Sequence, residues 1–349
     1  MPACRPPSAR LNELTLKNNI PVSVTAELTR RCPLSCRHCY LPETRGRARP
    51  GRELSAAQWK GILRQLARAG GLYLVFTGGE PLLRPDLAEL CRFAKALSFD
   101  VRVFSTGLGL TPALAVELGQ AGVSAFDISF YGRPGVHDGV TGLKGSFAGS
   151  LAAARLLKKA GIAVKMKVPL MNLNSGQAAF LARLAKAEGC GISFDPVVAP
   201  ANDGNGAALK YRLSGPGLRR ALKLLSPRGA GAPAPAERSA DAWDLLCGAG
   251  RNVCAVDPAG NLWPCLQLPV NLGNLTRKKF QVLWKSPAWL KKWRAAGLKD
   301  LKVCAACSLA GYCSRCPGIS LLEEGDVFAP NRPACDLAAA QRALSRFRP

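Results

Sequence analysis

Histidine, methionine and tyrosine are scarce in this 349-residue chain, at two, three and five copies, and aromatics make up only 7% of it. With so few rings, and no stripe that interleaves them with arginine, a nucleic-acid surface built on base stacking is disfavoured. Acidic residues are also few, 23 against 48 Lys and Arg, for a formal charge of +25. That excess attracts anionic partners, although stretches such as RRALKLL and RLLKKAG are equally well explained as solvated helix faces. No run of about 18 uncharged apolar residues occurs, which excludes a membrane-spanning helix. The start MPACRPPSAR lacks the apolar core of a secretory signal. These absences predict a cytoplasmic protein with no membrane partner.

What the chain does have is cysteine, fourteen copies, within a composition that is 48% hydrophobic and sufficient for a sizeable core. Disulfide frameworks belong to short secreted chains, and here the cysteines cluster at ligand spacing, so reduced thiolates that bind metal are expected. Cys4, Cys91 and Cys190 fit no motif. Cys91 falls in an amphipathic helix and Cys190 beside a strand start, both positions for core residues.

From about residue 22 to 198, β-rich runs alternate with helical patterns: VSVTAEL, LYLVFTG, VRVFSTG, AFDISFY, AVKMKVPLM and ISFDPVV. Strands that alternate with helices indicate parallel βα units. Six such units make an α/β fold of partial (β/α)6 TIM-like barrel type, open on one side. Ser55 and Gln58 form a capping box ahead of Trp59, Ile62, Leu63 and Leu66, and Asp86 and Thr111 mark two more helix starts. Residues 1–20 read as an N-terminal extension, 21–225 as the barrel, 226–240 as a Pro/Ala/Gly linker, and 241–340 as a small cysteine-rich domain that needs metal to hold it together.

The stretch RRCPLSCRHCYLPE brings Cys32, Cys36 and Cys39 together directly after the first strand, at the end where βα barrels keep their active sites. Three thiolates hold three corners of a 4Fe-4S cubane and leave one iron open for a ligand. The alternative, a zinc knuckle completed by His38, is awkward because His38 adjoins Cys39. One unit later, FTGGEPLL supplies Gly78 and Gly79, which permit close backbone approach to a ligand, and Glu80, an acceptor for an ammonium group. His137, in the loop HDGVTGLKGSF, either transfers protons or orders that loop. Lys165 and Lys167 alternate with Val164, Met166 and Val168, so both share one side of a strand, toward either the lumen or the helix layer.

Eight more cysteines follow: Cys247, Cys254, Cys265, Cys304, Cys307, Cys313, Cys316 and Cys335. On spacing alone, Cys304-x-x-Cys307 followed by Cys313-x-x-Cys316 fits a zinc ribbon. Upstream, VDPAGNLWPC places a hairpin-like turn at Gly260 ahead of Cys265.

The three-cysteine loop paired with the Gly-Gly-Glu turn resembles the radical S-adenosylmethionine (radical SAM) superfamily, and residues 247–335 resemble its SPASM extension. The resemblance implies a 4Fe-4S cluster on Cys32, Cys36 and Cys39 whose open iron takes the amino and carboxylate groups of S-adenosylmethionine. Reductive cleavage then yields methionine and a 5′-deoxyadenosyl radical that abstracts a substrate hydrogen. It places Tyr40 near the adenine, the Gly78-Gly79-Glu80 turn at the methionine amine, Ser105 at the ribose and Ser129 at the carboxylate. It further implies two auxiliary 4Fe-4S clusters, one on Cys247, Cys254, Cys265 and Cys316 and the other on Cys304, Cys307, Cys313 and Cys335, three clusters in all. The last pair is separated by two residues, where three are usual.

Members with this extension mostly modify peptides or proteins, by crosslinking, epimerisation or oxidation. Sulfatase-maturing members carry an acidic residue after the third cysteine of the extension. Leu266 stands there, so a peptide or cofactor maturase is expected instead. The short segment before the first strand predicts either a separate leader-binding protein or a substrate that bears no leader, and the clusters an external electron donor such as flavodoxin or ferredoxin. Other readings are a radical SAM enzyme acting on RNA or on a small cofactor precursor, and a non-catalytic iron-sulfur or zinc protein.

Overall fold

A computed structural model of the chain describes residues 7–41, 51, 53–225 and 247–345. The six apolar runs become six parallel strands: β1 Ser23–Thr29, β2 Tyr73–Gly78, β3 Asp100–Ser105, β4 Val123–Ser129, β5 Ala163–Pro169 and β6 Gly191–Asp195. They lie side by side in chain order. Before and between them run α1 Pro7–Asn18, α2 Ala56–Arg68, α3 Leu87–Ala96, α4 Pro112–Gln120, α5 Pro134–Thr141, α6 Ser146–Lys159 and α7 Ala178–Ala187, and α8 Gly215–Leu225 follows β6. Because successive strand side chains point to opposite faces, Val164, Met166 and Val168 of β5 are buried, while Lys167 lines the lumen.

Local signals account for the helix starts. Ser55 and Gln58 close both halves of a capping box, and Trp59, Ile62, Leu63 and Leu66 of α2 are buried. Thr111 accepts the Leu114 N–H at 3.2 Å ahead of Pro112. Asp86 stands at the start of α3 but does not cap it. Its carboxylate takes the fork of Arg84 instead, at 2.8 and 2.6 Å, because a bidentate guanidinium is the stronger donor.

The cysteine-rich region continues the barrel's own sheet. β7 Val253–Val256 runs parallel to β1, pairing Ser23 with Val253 and Ala26 with Val256. β8 Asn261–Trp263 and β9 Gly273–Asn274 then follow antiparallel, completing a nine-stranded sheet. Gly260 makes the expected turn at a φ of +88°, and Asp257 accepts the Ala259 and Asn261 N–H groups at 2.9 Å each. Beyond lie α9 Phe280–Lys285, α10 Ala288–Ala295, α11 Pro317–Glu324 and α12 Arg332–Ser345. The region is tied back by Asn252, whose amide donates to Asn12 and Thr15 of α1 at 2.9 and 3.1 Å, and by an ion pair of Arg212 with Glu323 of α11. Cys91 is buried and Cys190 half-buried against the same core. Cys4 and the linker at 226–240 lie outside the described residues. No described helix is long and apolar enough to cross a membrane.

Candidate active site

The chain leaves β1 into residues 30–41, which carry the three cysteines, and α5 braces this loop: Ser35 N–H donates to Thr141 O at 2.9 Å and Arg37 N–H to Val140 O at 3.1 Å. The loop forms one wall of a cavity of about 320 Å³ at the carboxyl ends of the strands. Cys32, Cys36, Cys39, Tyr40, Gly78, Gly79, Ser105 and Ser129 all border it. Burial pushes the Cys32 thiol up to about 11 and the Cys36 thiol to about 12, with Cys39 adding to both. Three thiols around one cavity fit a cubane, whose irons take thiolate ligands.

The glycine pair serves the chain before any ligand. A Cβ on Gly78 would sit 2.2 Å from Thr29 O, and one on Gly79 2.2 Å from Arg31 O. The gap is that narrow because Gly79 N–H donates to Thr29 O at 2.7 Å and Glu80 N–H to Arg31 O at 2.8 Å. The turn therefore clamps the root of the cysteine loop.

Glu80 departs from its expected role as an ammonium acceptor. Its carboxylate is fully buried and accepts Leu82 N–H at 3.0 Å, Ser105 O–H and Thr106 N–H at 2.7 Å each, and the Thr106 hydroxyl. Burial raises its pKa, and these bonds oppose the rise. Four protein donors occupy its lone pairs, so Glu80 fastens the end of β3 to the glycine turn behind the cavity wall. Ser105, expected at a ribose, donates to Glu80 and accepts Gly107 N–H at 2.8 Å. Tyr40 donates to buried Glu27 at 2.6 Å, and burial followed by that carboxylate keeps the phenol protonated. Ser129 shares the cavity wall with Tyr131.

His137 packs edge-on among Phe130, Tyr131 and Phe147, with ring centroids 5.3–5.7 Å away. Burial pulls it down to about 4, so it is neutral and orders α5. Lys167 stands 3.8 Å from Asp127 and 3.7 Å from the centroid of Phe104. Asp127 and Phe104 escaped the sequence reading. The available signal was Asp127 itself, a charge alternating with Phe126 and Ile128 in β4. Gln267, which reaches the cavity from the far end of the chain, had no such signal.

Several of the other eight cysteines act on one another. Burial lifts Cys265 to about 12, with Cys247 and Cys316 adding to it, and Cys254 is raised by burial and then by Cys265. Cys313 rises to about 11 through burial and then through Cys335, Cys304 and Cys307. Among the described residues, no three His, Cys, Asp or Glu side chains reach the spacing of a single metal ion.

The sequence profile of the Radical SAM superfamily matches residues 26–179, and that of SPASM, an iron-sulfur cluster-binding domain, matches residues 247–317. Mycofactocin maturase MftC of Mycobacterium tuberculosis is 30% identical over 346 residues, covering 94% of this chain and 86% of the relative. PqqA peptide cyclase of Gluconobacter oxydans is 36% identical over 172 residues, 49% of this chain and 48% of that protein. AdoMet-dependent heme synthase of Methanosarcina barkeri is 25% identical over 342 residues, 91% of this chain and 97% of that protein. Streptococcus suis SuiB, solved with S-adenosylmethionine bound, shares the fold with a TM-score of 0.72 at 18% identity, over 95% of this chain and 81% of SuiB. These domains imply 4Fe-4S clusters and S-adenosylmethionine as cofactors. With a cavity ringed by three thiols at the mouth of a six-stranded parallel barrel and a cysteine-rich extension sewn onto β1, the chain belongs to the radical SAM superfamily and is an enzyme carrying a SPASM domain.

Proposed function

We propose that this enzyme modifies a peptide, with Cys32, Cys36 and Cys39 holding the reactive cluster and with Tyr40, Gly78, Gly79, Ser105 and Ser129 forming the S-adenosylmethionine pocket. When bound, cluster and S-adenosylmethionine supply a 5′-deoxyadenosyl radical that removes a substrate hydrogen. The chain's own part is to leave one iron without a thiolate, to hold the loop rigid through α5 and Glu80, and to keep the deeper lumen polar. Lys167 and Asp127 there are left for the substrate. The two outer groups, Cys247, Cys254, Cys265 and Cys316, and Cys304, Cys307, Cys313 and Cys335, each saturate a 4Fe-4S cluster and carry electrons.

The observation that carries the reading is that, among the described cysteines, only the three-thiol set borders the barrel cavity. Kinship to MftC and to PqqA peptide cyclase supports the peptide. The excess of positive charge suits an acidic electron donor of flavodoxin or ferredoxin type, and reduced thiols suit the cytoplasm. A separate leader-binding protein completes the scheme. Kinship to the heme synthase supports a second reading, a small cofactor precursor as substrate. Incubation of the reconstituted, reduced enzyme with synthetic peptides encoded beside its gene distinguishes the two. A peptide mass change accompanied by 5′-deoxyadenosine supports the first reading; no change on any of them, with turnover of a tetrapyrrole, supports the second.

A further inference from the structure

Two buried arginines stand among the auxiliary cysteines. Arg315 is 5% exposed and Arg251 is 2% exposed. Arg315 lies in the stretch CSRC, between Cys313 of one group and Cys316 of the other. Its guanidinium turns inward: Nε donates to Ala329 O at 3.2 Å, and Nη2 to the same carbonyl at 2.9 Å, to Val327 O, and to Ser320 Oγ at 3.4 Å. Ser320 in turn donates to Cys316 O at 3.2 Å. Asn331 binds Cys316 O at 2.9 Å through its side chain and accepts Cys335 N–H at 2.9 Å on its carbonyl. The arginine is thus fixed in the seam that joins Cys316 to Cys335, which belong to different groups. Cys304, Cys316 and Cys313, drawn from both groups, and then Asp326 favour its charged form against the effect of burial. Cys247 is the cysteine that acts on Arg251, whose Nη2 donates to Trp293 O and Ala296 O at 3.0 and 3.4 Å.

We propose that Arg315 is the shared counter-charge of the two auxiliary clusters and raises the reduction potential of both, while Arg251 does so for the first cluster only. The inference rests on the division of the eight cysteines given under the proposed function. A cluster with four thiolates is anionic, and reduction adds one more negative charge. A fixed cation nearby stabilises the reduced state more than the oxidised one, and burial limits its screening by solvent. The carbonyls and the hydroxyl that bind Arg315 are uncharged and orient its guanidinium. Two adjacent anionic clusters also oppose each other's reduction, and a cation in the seam offsets that repulsion. Arg315 is a positioning residue in this scheme, since it touches no substrate.

The test uses the full chain with Cys32, Cys36 and Cys39 replaced by Ala, so that the auxiliary clusters alone report in an EPR-monitored redox titration. Arg315→Gln keeps hydrogen-bond donors and removes the charge; Arg315→Lys keeps the charge. At a fixed ambient potential, Arg315→Gln is expected to lower the reduced-to-oxidised ratio of both clusters about tenfold, which is about 59 mV for a one-electron couple. Arg251→Gln is expected to lower one cluster only, and Arg315→Lys to stay near the parent. Equal shifts in the Gln and Lys variants, or unmoved potentials in chains that hold about eight irons, overturn the proposal. A parent chain that binds far fewer irons overturns the ligand division and the proposal with it.

Discussion

The barrel mouth and the cysteine-rich region use the same side chain in opposite surroundings. Around the mouth, the loop of Cys32, Cys36 and Cys39 is hung on elements that the barrel core already fixes, with Trp59, Phe76 and Phe126 fully buried. Around Cys304 to Cys313 the chain has only two short 3-10 turns, Leu298–Asp300 and Ala310–Tyr312. The small core there is one buried leucine, Leu301, packed with Leu298, Cys304, Ala310, Cys313 and Phe328. A region whose core includes its proposed metal ligands is too small to pay the ordering entropy by apolar burial. On the proposed ligand assignment, the barrel presents its cluster on a finished scaffold, and the outer region depends on its cluster for its structure.

Breaking that contrast most directly, removal of iron with a chelator is expected to expose residues 298–316 to proteolysis while the barrel stays folded, with fragments read by mass spectrometry. Equal resistance in both regions contradicts the comparison. The next largest effect falls behind the mouth. Glu80→Ala leaves the Ser105 and Thr106 donors without their buried acceptor and is expected to lower stability by about 3 kcal/mol in thermal denaturation. Restoration by Glu80→Gln should be partial, since an amide oxygen replaces only one of the two acceptors.

His137 sharpens the picture of the brace. Its folded pKa, about 4, lies below the ordinary 6.5 of an exposed histidine. The unfolded chain therefore binds the proton first, and the stability of the neutral ring, complete above pH 6.5, is lost as pH falls toward 4. About 2 kcal/mol should disappear by pH 5, and melting curves of His137→Phe should lack that part of the pH slope. The smallest effect belongs to a cysteine outside every cluster: Cys190→Ser is expected to leave the iron content unchanged.

Much of this was legible in the sequence because strand alternation and capping are local. The six strands, the Ser55 box, the Thr111 cap and the Gly260 turn each rest on residues a few positions apart. What was not legible depends on distant partners. Nothing in the four residues Val253–Val256 announces that they will pair with β1. The carboxylate of Asp86 was lost to Arg84, a competitor two residues away whose guanidinium reach spacing alone does not reveal. Glu80 looked like a ligand group because its turn sits at the cavity, yet its side chain points behind the wall to meet Ser105 and Thr106. The grouping of the outer cysteines came from resemblance and not from their spacing, which fits a zinc ribbon equally well.

The central claim is that the three-thiol set at the mouth is the reactive one and the two outer sets are not. The most direct measurement is 5′-deoxyadenosine release, under reductant and without oxygen, by Cys32→Ala beside the parent chain. The account predicts that release is lost while about eight of about twelve irons remain bound; release at the parent's rate from the substituted chain would contradict it.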